Sequence, residues 1–148
     1  MRTHVATALL VGFLLGSGIA FAEKTTVRVA FIGPLTGAVS ANGLDGRNAA
    51  DLAVRRRNAD ARAHYHYELV ALDDECKPNT GVQVATKAAA DDTIIAGVTH
   101  YCSAVAMATV DVFHKFRLPV IVWGAVLPEI TYWHDYIEIH RVNGTMIN

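Results

Sequence analysis

The sequence predicts an α/β fold in which a doubly wound parallel sheet carries helices on both faces. Beyond residue 25, short β-rich segments alternate with segments of helical periodicity, an order that is typical of βαβ units. Small residues follow several of the β-rich segments, as expected where a strand gives way to a turn. Because βαβ crossovers are right-handed, a doubly wound sheet is the simplest topology for this order.

Five strands are predicted from runs of β-branched and aromatic residues. The first run stops at Gly33-Pro34, a pair that interrupts strand pairing. The third run is short and apolar throughout, as expected for a strand that is buried on both faces. The predicted strands are residues 26–32, 64–72, 94–98, 118–122 and 136–141.

Three helices and one helical turn are predicted between these strands. The first helix shows apolar residues at roughly helical spacing. The second begins at Pro78, a residue favoured at the first position of a helix, and the side chain of Ser103 is predicted to cap the third. The predicted helices are residues 45–59, 78–91 and 103–116, and the helical turn is residues 128–131.

Residues 1–22 are predicted to be a secretory signal peptide. Arg2 gives a basic start, residues 5–21 carry no charge, and the run closes on a small-x-small pattern at Ala22 that suits signal peptidase. Cleavage there would leave one exported domain, residues 23–148, which is long enough to bury a core. An uncleaved membrane anchor is the alternative interpretation of the apolar run.

If the chain is exported, the two cysteines of the sequence, Cys76 and Cys102, are predicted to pair. Two thiols in an oxidising compartment are expected to form a disulfide. The bridge would close a loop of about 26 residues, which stabilises a fold by about 3–4 kcal/mol in the chain-entropy model. Two buried free thiols are the alternative.

Signatures of enzymes, metals and nucleic acids are weak in this sequence. No Gly-x-Gly-x-x-Gly follows the first strand and no Gly-x-Ser-x-Gly is present, so dinucleotide binding and hydrolase chemistry lack their motifs. A divalent cation could be bound by Asp73, Asp74 and Glu75, and zinc could be bound by His64 and His66. Neither group has further ligands at the spacing that metal sites use. A formal net charge of −1 gives no attraction for nucleic acid. We therefore expect a protein that is not an enzyme and that uses no cofactor or metal.

The candidate binding site lies at the carboxyl edge of the predicted sheet, because open α/β sheets bind ligands outside the carboxyl ends of their strands. Three loops reach this edge: residues 34–43, 100–103 and 123–128. Their small residues allow a ligand to approach the backbone closely. Tyr101 and Trp123 flank these loops, and they either wall the pocket or serve as ordinary core aromatics beneath it.

Five blocks of the sequence, in order, resemble the periplasmic solute-binding proteins of branched-chain amino-acid ABC transporters, the Leu/Ile/Val-binding type. The blocks are VAFIGPLTG at 29–37, GLDGRNAADLA at 43–53, DDECKP at 73–78, HYCS at 100–103 and GAVLPEIT at 124–131. The resemblance covers nearly all of the chain after the signal peptide. It implies a fold of two α/β lobes that close on a small solute, with residues 23–148 as the N-terminal lobe. It also supports the Cys76–Cys102 bridge.

The resemblance implies the substrate-binding component of an ABC importer, which captures an amino acid or a related small carboxylate in the periplasm for a permease in the inner membrane. Typical members are more than twice this length, so either a truncated chain or a reduced remnant is expected. The ligand-sensing domain of a receptor with the same fold and a truncated, non-functional fragment are the alternatives.

The resemblance also assigns candidate ligand-binding residues. Ser103 corresponds to the serine that holds the ligand carboxylate in the family, although a plain helix cap is the alternative role. The backbone groups of Gly124 and Ala125 are expected to bond the ligand. Val126 stands where the family has a threonine that helps to anchor the amino-acid head group, which extends the expected ligands to acids without an amine. Asn42 occupies a position that is often aromatic in the family and lies over the ligand.

Overall fold

The computed structural model describes residues 24–147, so the predicted signal peptide lies outside the described residues. Within that range five strands and four helices alternate along the chain. The strands are β1 Thr26–Gly33, β2 His66–Asp73, β3 Ile94–Thr99, β4 Val120–Val122 and β5 Ile139–Arg141. The helices are α1 Ser40–Ala59, α2 Pro78–Ala89, α3 Ser103–Phe116 and α4 Glu129–Tyr132.

These strands form one parallel sheet in the order β2-β1-β3-β4-β5. Successive residues of β1 face opposite sides of the sheet. Ala30 and Ile32 join the core formed with α2 and α3, whereas the ring of Phe31 lies against Gly46 of α1. Helices therefore cover both faces, and the predicted doubly wound α/β fold is confirmed.

Helix α1 begins at Ser40, so the predicted start at residue 45 was wrong by five residues. The sequence predicts a later start because Gly43 lies in this first turn and glycine is a poor helix former. In the structure Gly43 is buried against the loop after β1, where a β-carbon would overlap the carbonyl oxygen of Pro34. Packing at the end of β1 therefore decides where α1 begins.

Strands β4 and β5 span three residues each and are shorter than predicted. The amide of Leu118 donates to the carbonyl of Phe113 at 3.0 Å and so completes the end of α3 instead of joining the sheet. The amide of Ile139 donates to the carbonyl of Tyr136 at 3.2 Å, so the residues just before β5 form a turn. At the start of both strands, a hydrogen bond within a turn takes the place of the bond to a neighbouring strand that the β-rich sequence predicts. The strands are therefore shorter than predicted.

Helix α3 is held on the sheet by one apolar face. Its buried side chains include Val105, Ala106, Val110 and Phe113. Burying a large apolar side chain stabilises a fold by about 1.5–3 kcal/mol, so this face fixes the position of the first turn of α3 at the carboxyl edge. Between residues 24 and 147, every helix is too short or too polar to cross a bilayer.

Candidate functional site

The loops after β3 and β4 are joined at the carboxyl edge of the sheet. The amide of Trp123 donates to the carbonyl of Thr99 at 3.1 Å. The carbonyl of His100 then accepts two amides, from Gly124 at 3.3 Å and from Ala125 at 3.2 Å. The two loops that the sequence assigned to the site are therefore bonded to each other directly.

Ser103 is the first helical residue of α3, so its predicted role as the helix cap was wrong. Cys102 occupies the cap position in an extended conformation, and no side chain caps this helix. The hydroxyl oxygen of Ser103 instead accepts the amide of Val126 at 3.1 Å. This hydrogen bond joins the first turn of α3 to the loop after β4. The candidate site is therefore formed by both elements together.

The hydroxyl of Ser103 keeps its proton available for a further partner. A serine hydroxyl is one donor with two acceptor lone pairs, and the bond from Val126 uses a lone pair. The amides of Val105 and Ala106 both donate to the carbonyl of Cys102, as in a regular first turn. The amides of Ser103 and Ala104, which come before these, have no partner within the helix, so they and the hydroxyl form a set of donors at this edge.

A disulfide between Cys76 and Cys102 is present, with 5.6 Å between the two Cα atoms. The predicted pairing agrees with the structure. The bridge joins the loop after β2 to the residue that precedes Ser103. It therefore ties the start of α3 to a second loop at the carboxyl edge.

Three aromatic rings form a row beside the site, which we call the aromatic row: Phe31, Trp123 and Tyr101. The ring centroids of Phe31 and Trp123 are 5.9 Å apart, and those of Trp123 and Tyr101 are 5.4 Å apart. Trp123 fills the space beneath α1, since a β-carbon on Gly46 would lie 2.8 Å from its ring. Both predicted wall residues are partly buried: Trp123 is the middle ring of the row, beneath α1, and Tyr101 is an end ring.

The amides of the segment 124–126 are engaged within the protein. Gly124 and Ala125 donate to His100, and Val126 donates to Ser103. The carbonyl of Ala125 accepts the side-chain amide of Asn143 at 3.0 Å. A ligand that bonded these amides would have to replace existing hydrogen bonds, so the hydroxyl of Ser103 is the more accessible donor.

Asn42 makes none of the hydrogen bonds that join the other candidate residues within residues 24–147. It is exposed in the first turn of α1, and its amide donates to the carbonyl of Val39 at 3.2 Å. Among residues 24–147 no hydrogen bond links its side chain to Ser103 or Tyr101. The structure therefore joins Ser103, Tyr101 and the segment 124–126 by direct contacts, whereas Asn42 is an exposed residue of α1.

The acidic run after β2 makes structural bonds. The carboxylate of Asp73 accepts the amides of Leu35 at 2.8 Å and Glu75 at 2.9 Å and the hydroxyl of Thr36. Partial burial opposes ionisation, but these hydrogen bonds outweigh it and hold the pKa of Asp73 below its usual value. In the part of the chain that the structure describes, no three His, Cys, Asp or Glu residues are grouped to hold a metal ion.

Sequence reasoning missed one feature of this edge, a buried contact between Asp74 and His100. The Nδ1 atom of His100 lies 2.9 Å from Oδ2 of Asp74, and both side chains are buried. The sequence suggests only a cation-ligand role for Asp74, and His100 stands out in it only as part of a motif. No periodicity marks such a pair, because the two residues are separated by a whole helix and strand.

Comparison with known proteins places these observations in a family. A model of the periplasmic binding protein family matches residues 26–137. The Leu/Ile/Val-binding protein of Escherichia coli strain K12 is 32% identical over 140 residues, which cover 93% of this chain and 37% of that protein.

Solved structures agree on the fold. The branched-chain amino acid transporter substrate binding protein of Streptococcus pneumoniae, in complex with isoleucine, has a TM-score of 0.74 at 23% identity, covering 82% of this chain and 34% of that one. A solute binding protein of an ABC transporter from Rhodopseudomonas palustris BisB5, in complex with 3,4-dihydroxy benzoic acid, has a TM-score of 0.71 at 25% identity, covering 81% and 32%.

The chain spans about a third of the length of these relatives. Its fold is that of one lobe of a type I periplasmic binding protein, with the same parallel sheet between helices. Because the family model matches most of its residues, the chain belongs to the periplasmic binding protein family.

Proposed function

We propose that this chain is the ligand-binding lobe of the substrate-binding component of an ABC importer, which captures an amino acid or a related small carboxylate in the periplasm. The observation that carries the proposal is the arrangement of Ser103. Its oxygen accepts the amide of Val126, so its own proton is left to donate. It also stands in the first turn of α3, where free amides and the helix dipole favour a negative charge.

The surroundings of Ser103 favour a carboxylate with an apolar or aromatic body. Val126 beside it has no hydroxyl and is 40% exposed, and the ring of Tyr101 lies at the neighbouring end of the aromatic row. The name of the Escherichia coli relative supports aliphatic amino acids, and the ligand of the Rhodopseudomonas palustris protein supports aromatic acids. Both classes present a carboxylate to the same donors.

The proposed mechanism is binding without covalent chemistry or a cofactor. The carboxylate meets Ser103 and the first amides of α3. In the two-lobed arrangement that the family resemblance implies, a second lobe then closes over the carboxyl edge and a permease accepts the ligand. The signal peptide predicted for residues 1–22 is the support for a periplasmic location.

Isothermal titration tests the proposal, with L-leucine and 3,4-dihydroxybenzoate as probes for the whole chain and for Ser103→Ala. Thr86→Ala is the control, because it removes an exposed hydroxyl from α2, outside the three loops of the candidate site. A hydrogen bond to a charged group contributes about 1.5–3 kcal/mol, so Ser103→Ala should weaken binding by about tenfold or more.

Thr86→Ala should leave the dissociation constant unchanged. Equal affinity of wild type and Ser103→Ala would overturn the role of Ser103. Absence of binding of both probes to the wild type would overturn the proposed ligand class.

A further inference from the structure

Asp74 and His100 form a contact between polar side chains that are exposed by only 0% and 1%. The Nδ1 atom of His100 is 2.9 Å from Oδ2 of Asp74, and the other carboxylate oxygen accepts the amide of Cys76 at 2.8 Å. Since a carboxylate only accepts, Nδ1 carries the proton of this bond. Burying such a pair costs desolvation free energy, so apolar residues of similar volume would stabilise the fold as well or better.

The backbone of the pair reaches every loop at the carboxyl edge from β1 to β4. The amide of Asp74 donates to the carbonyl of Gly33, and the amide of His100 donates to the carbonyl of Ile32, each at 3.1 Å. The carbonyl of His100 accepts the amides of Gly124 and Ala125. The backbone bonds of these two residues, together with the contact between their side chains, thus connect the ends of four strands.

His100 adopts a left-handed backbone conformation, with a φ of 48°. This region is uncommon for residues other than glycine, although histidine adopts it more often than most, and surrounding contacts keep a residue there. The contacts that hold it here are the bond from its side chain to Asp74 and the bonds to its amide and carbonyl. The side-chain bond therefore helps to keep the carbonyl of His100 directed at the loop after β4.

We propose that Asp74 and His100 are positioning residues for the ligand site. Asp74 holds the ring of His100, and the carbonyl of His100 holds the amides of Gly124 and Ala125. This places the amide of Val126 against the hydroxyl of Ser103 and so orients the hydroxyl proton towards the ligand. The ligand-binding part of this inference rests on the proposed function, whereas the ordering of the loop does not.

The chain offers a matched control pair at the opposite edge of the sheet. Nδ1 of His114 lies 2.9 Å from Oε2 of Glu138, and the side chain of Glu138 is 5% exposed. These residues precede β4 and β5, so they lie at the amino edge, away from the ligand loops. Breaking this contact should lower the stability of the fold but leave the hydrogen bond between Ser103 and Val126 unchanged.

Amide hydrogen exchange by NMR is the deciding measurement, on the whole chain and on Asp74→Ala and Glu138→Ala. Asp74→Ala should speed the exchange of the Gly124 and Ala125 amides by about tenfold or more relative to the amides of the α3 core, because their bonds open locally. Glu138→Ala should leave that ratio at its wild-type value. An unchanged ratio in Asp74→Ala, or an equal rise in both variants, would overturn the proposal.

Asp74→Asn covers the case in which Asp74→Ala does not fold. Asparagine keeps an oxygen for the amide of Cys76 but presents N–H groups to His100, which must then move its proton to Nε2. That atom is buried and has no partner among the described residues. Exchange at Gly124 and Ala125 should therefore rise to an intermediate rate in Asp74→Asn and stay at the wild-type rate in Glu138→Gln. Equal rates in these two variants would also overturn the proposal.

Titration with L-leucine and 3,4-dihydroxybenzoate separates the two claims. Loosening of the loop together with weaker binding in Asp74→Asn supports both. Loosening of the loop in a protein whose wild type binds neither probe supports the positioning role and contradicts the proposed function. Unchanged affinity in a loosened variant overturns the link between the pair and the ligand.

Discussion

Gly124 packs directly on Tyr101: a β-carbon at Gly124 would lie 2.7 Å from Cδ2 of the tyrosine ring and 3.0 Å from its Cα. The ring also lies beside Trp123, at 5.4 Å between centroids. Tyr101 therefore has little room to retreat. The absence of a side chain at Gly124 is what allows the loops after β3 and β4 to approach each other.

Gly124→Ala should lower the free energy of unfolding by about 1–3 kcal/mol, because the added methyl group overpacks the contact with Tyr101. Urea unfolding measures this change. Gly144→Ala is the control, since a β-carbon there would meet no atom within 4 Å. Equal midpoints for the two variants would show that the loop yields without cost.

Glu138 makes the stability of the fold depend on acid. Its carboxylate lies 2.8 Å from the guanidinium of Arg117 and 2.9 Å from the ring of His114. The hydrogen bond from Arg117, followed by that from His114, lowers the pKa of Glu138 from its ordinary 4.5 to about 2. Because the folded pKa is the lower one, this stabilisation is complete above pH 4.5 and is lost as the pH falls towards 2.

Glu138→Gln should remove this part of the pH dependence. Unfolding by urea at several pH values below 4.5 should show a steeper loss of stability in wild type than in the variant. Glu68→Gln is the control, because the side chain of Glu68 is 53% exposed and 4.0 Å from its nearest cation. Parallel curves for wild type and Glu138→Gln would contradict the prediction.

Reduction of the Cys76–Cys102 bridge should destabilise the fold by about 3–4 kcal/mol, because the unfolded chain regains the entropy of a closed loop. The measurement is thermal melting with and without a reductant, with the two thiols verified by mass. The double variant Cys76→Ser/Cys102→Ser should melt at the same temperature in both conditions. A reduced wild type that melts like the oxidised protein would contradict this expectation.

Features with a local cause were predictable from the sequence. Pro78 begins α2 as predicted, because its restricted φ and missing amide suit a first helical position. The bounds of α3, Ser103–Phe116, agree with the apolar pattern that packs on the sheet. The pairing of Cys76 with Cys102 could be predicted from two observations, the export signal and the presence of two cysteines in the sequence.

The internal bonds of the site could not be predicted in this way. The role of Ser103 depends on the amide of Val126, which arrives from a different loop. The contact of Asp74 with His100 joins residues at the ends of two strands that are not neighbours in the sheet. Neither contact leaves a pattern in the residues around it.

The sequence by itself determined the alternation of strands and helices, and it predicted which edge of the sheet carries the candidate site and which residues form its loops. These follow from side-chain periodicity, glycine and proline chemistry and the rule that ligands meet parallel sheets at their carboxyl ends. The tertiary structure decided where α1 begins, which hydrogen bond Ser103 makes and which buried pair holds the loop after β4. The physical reason is that these features depend on close approaches between distant segments, and such approaches exist only after the sheet has formed.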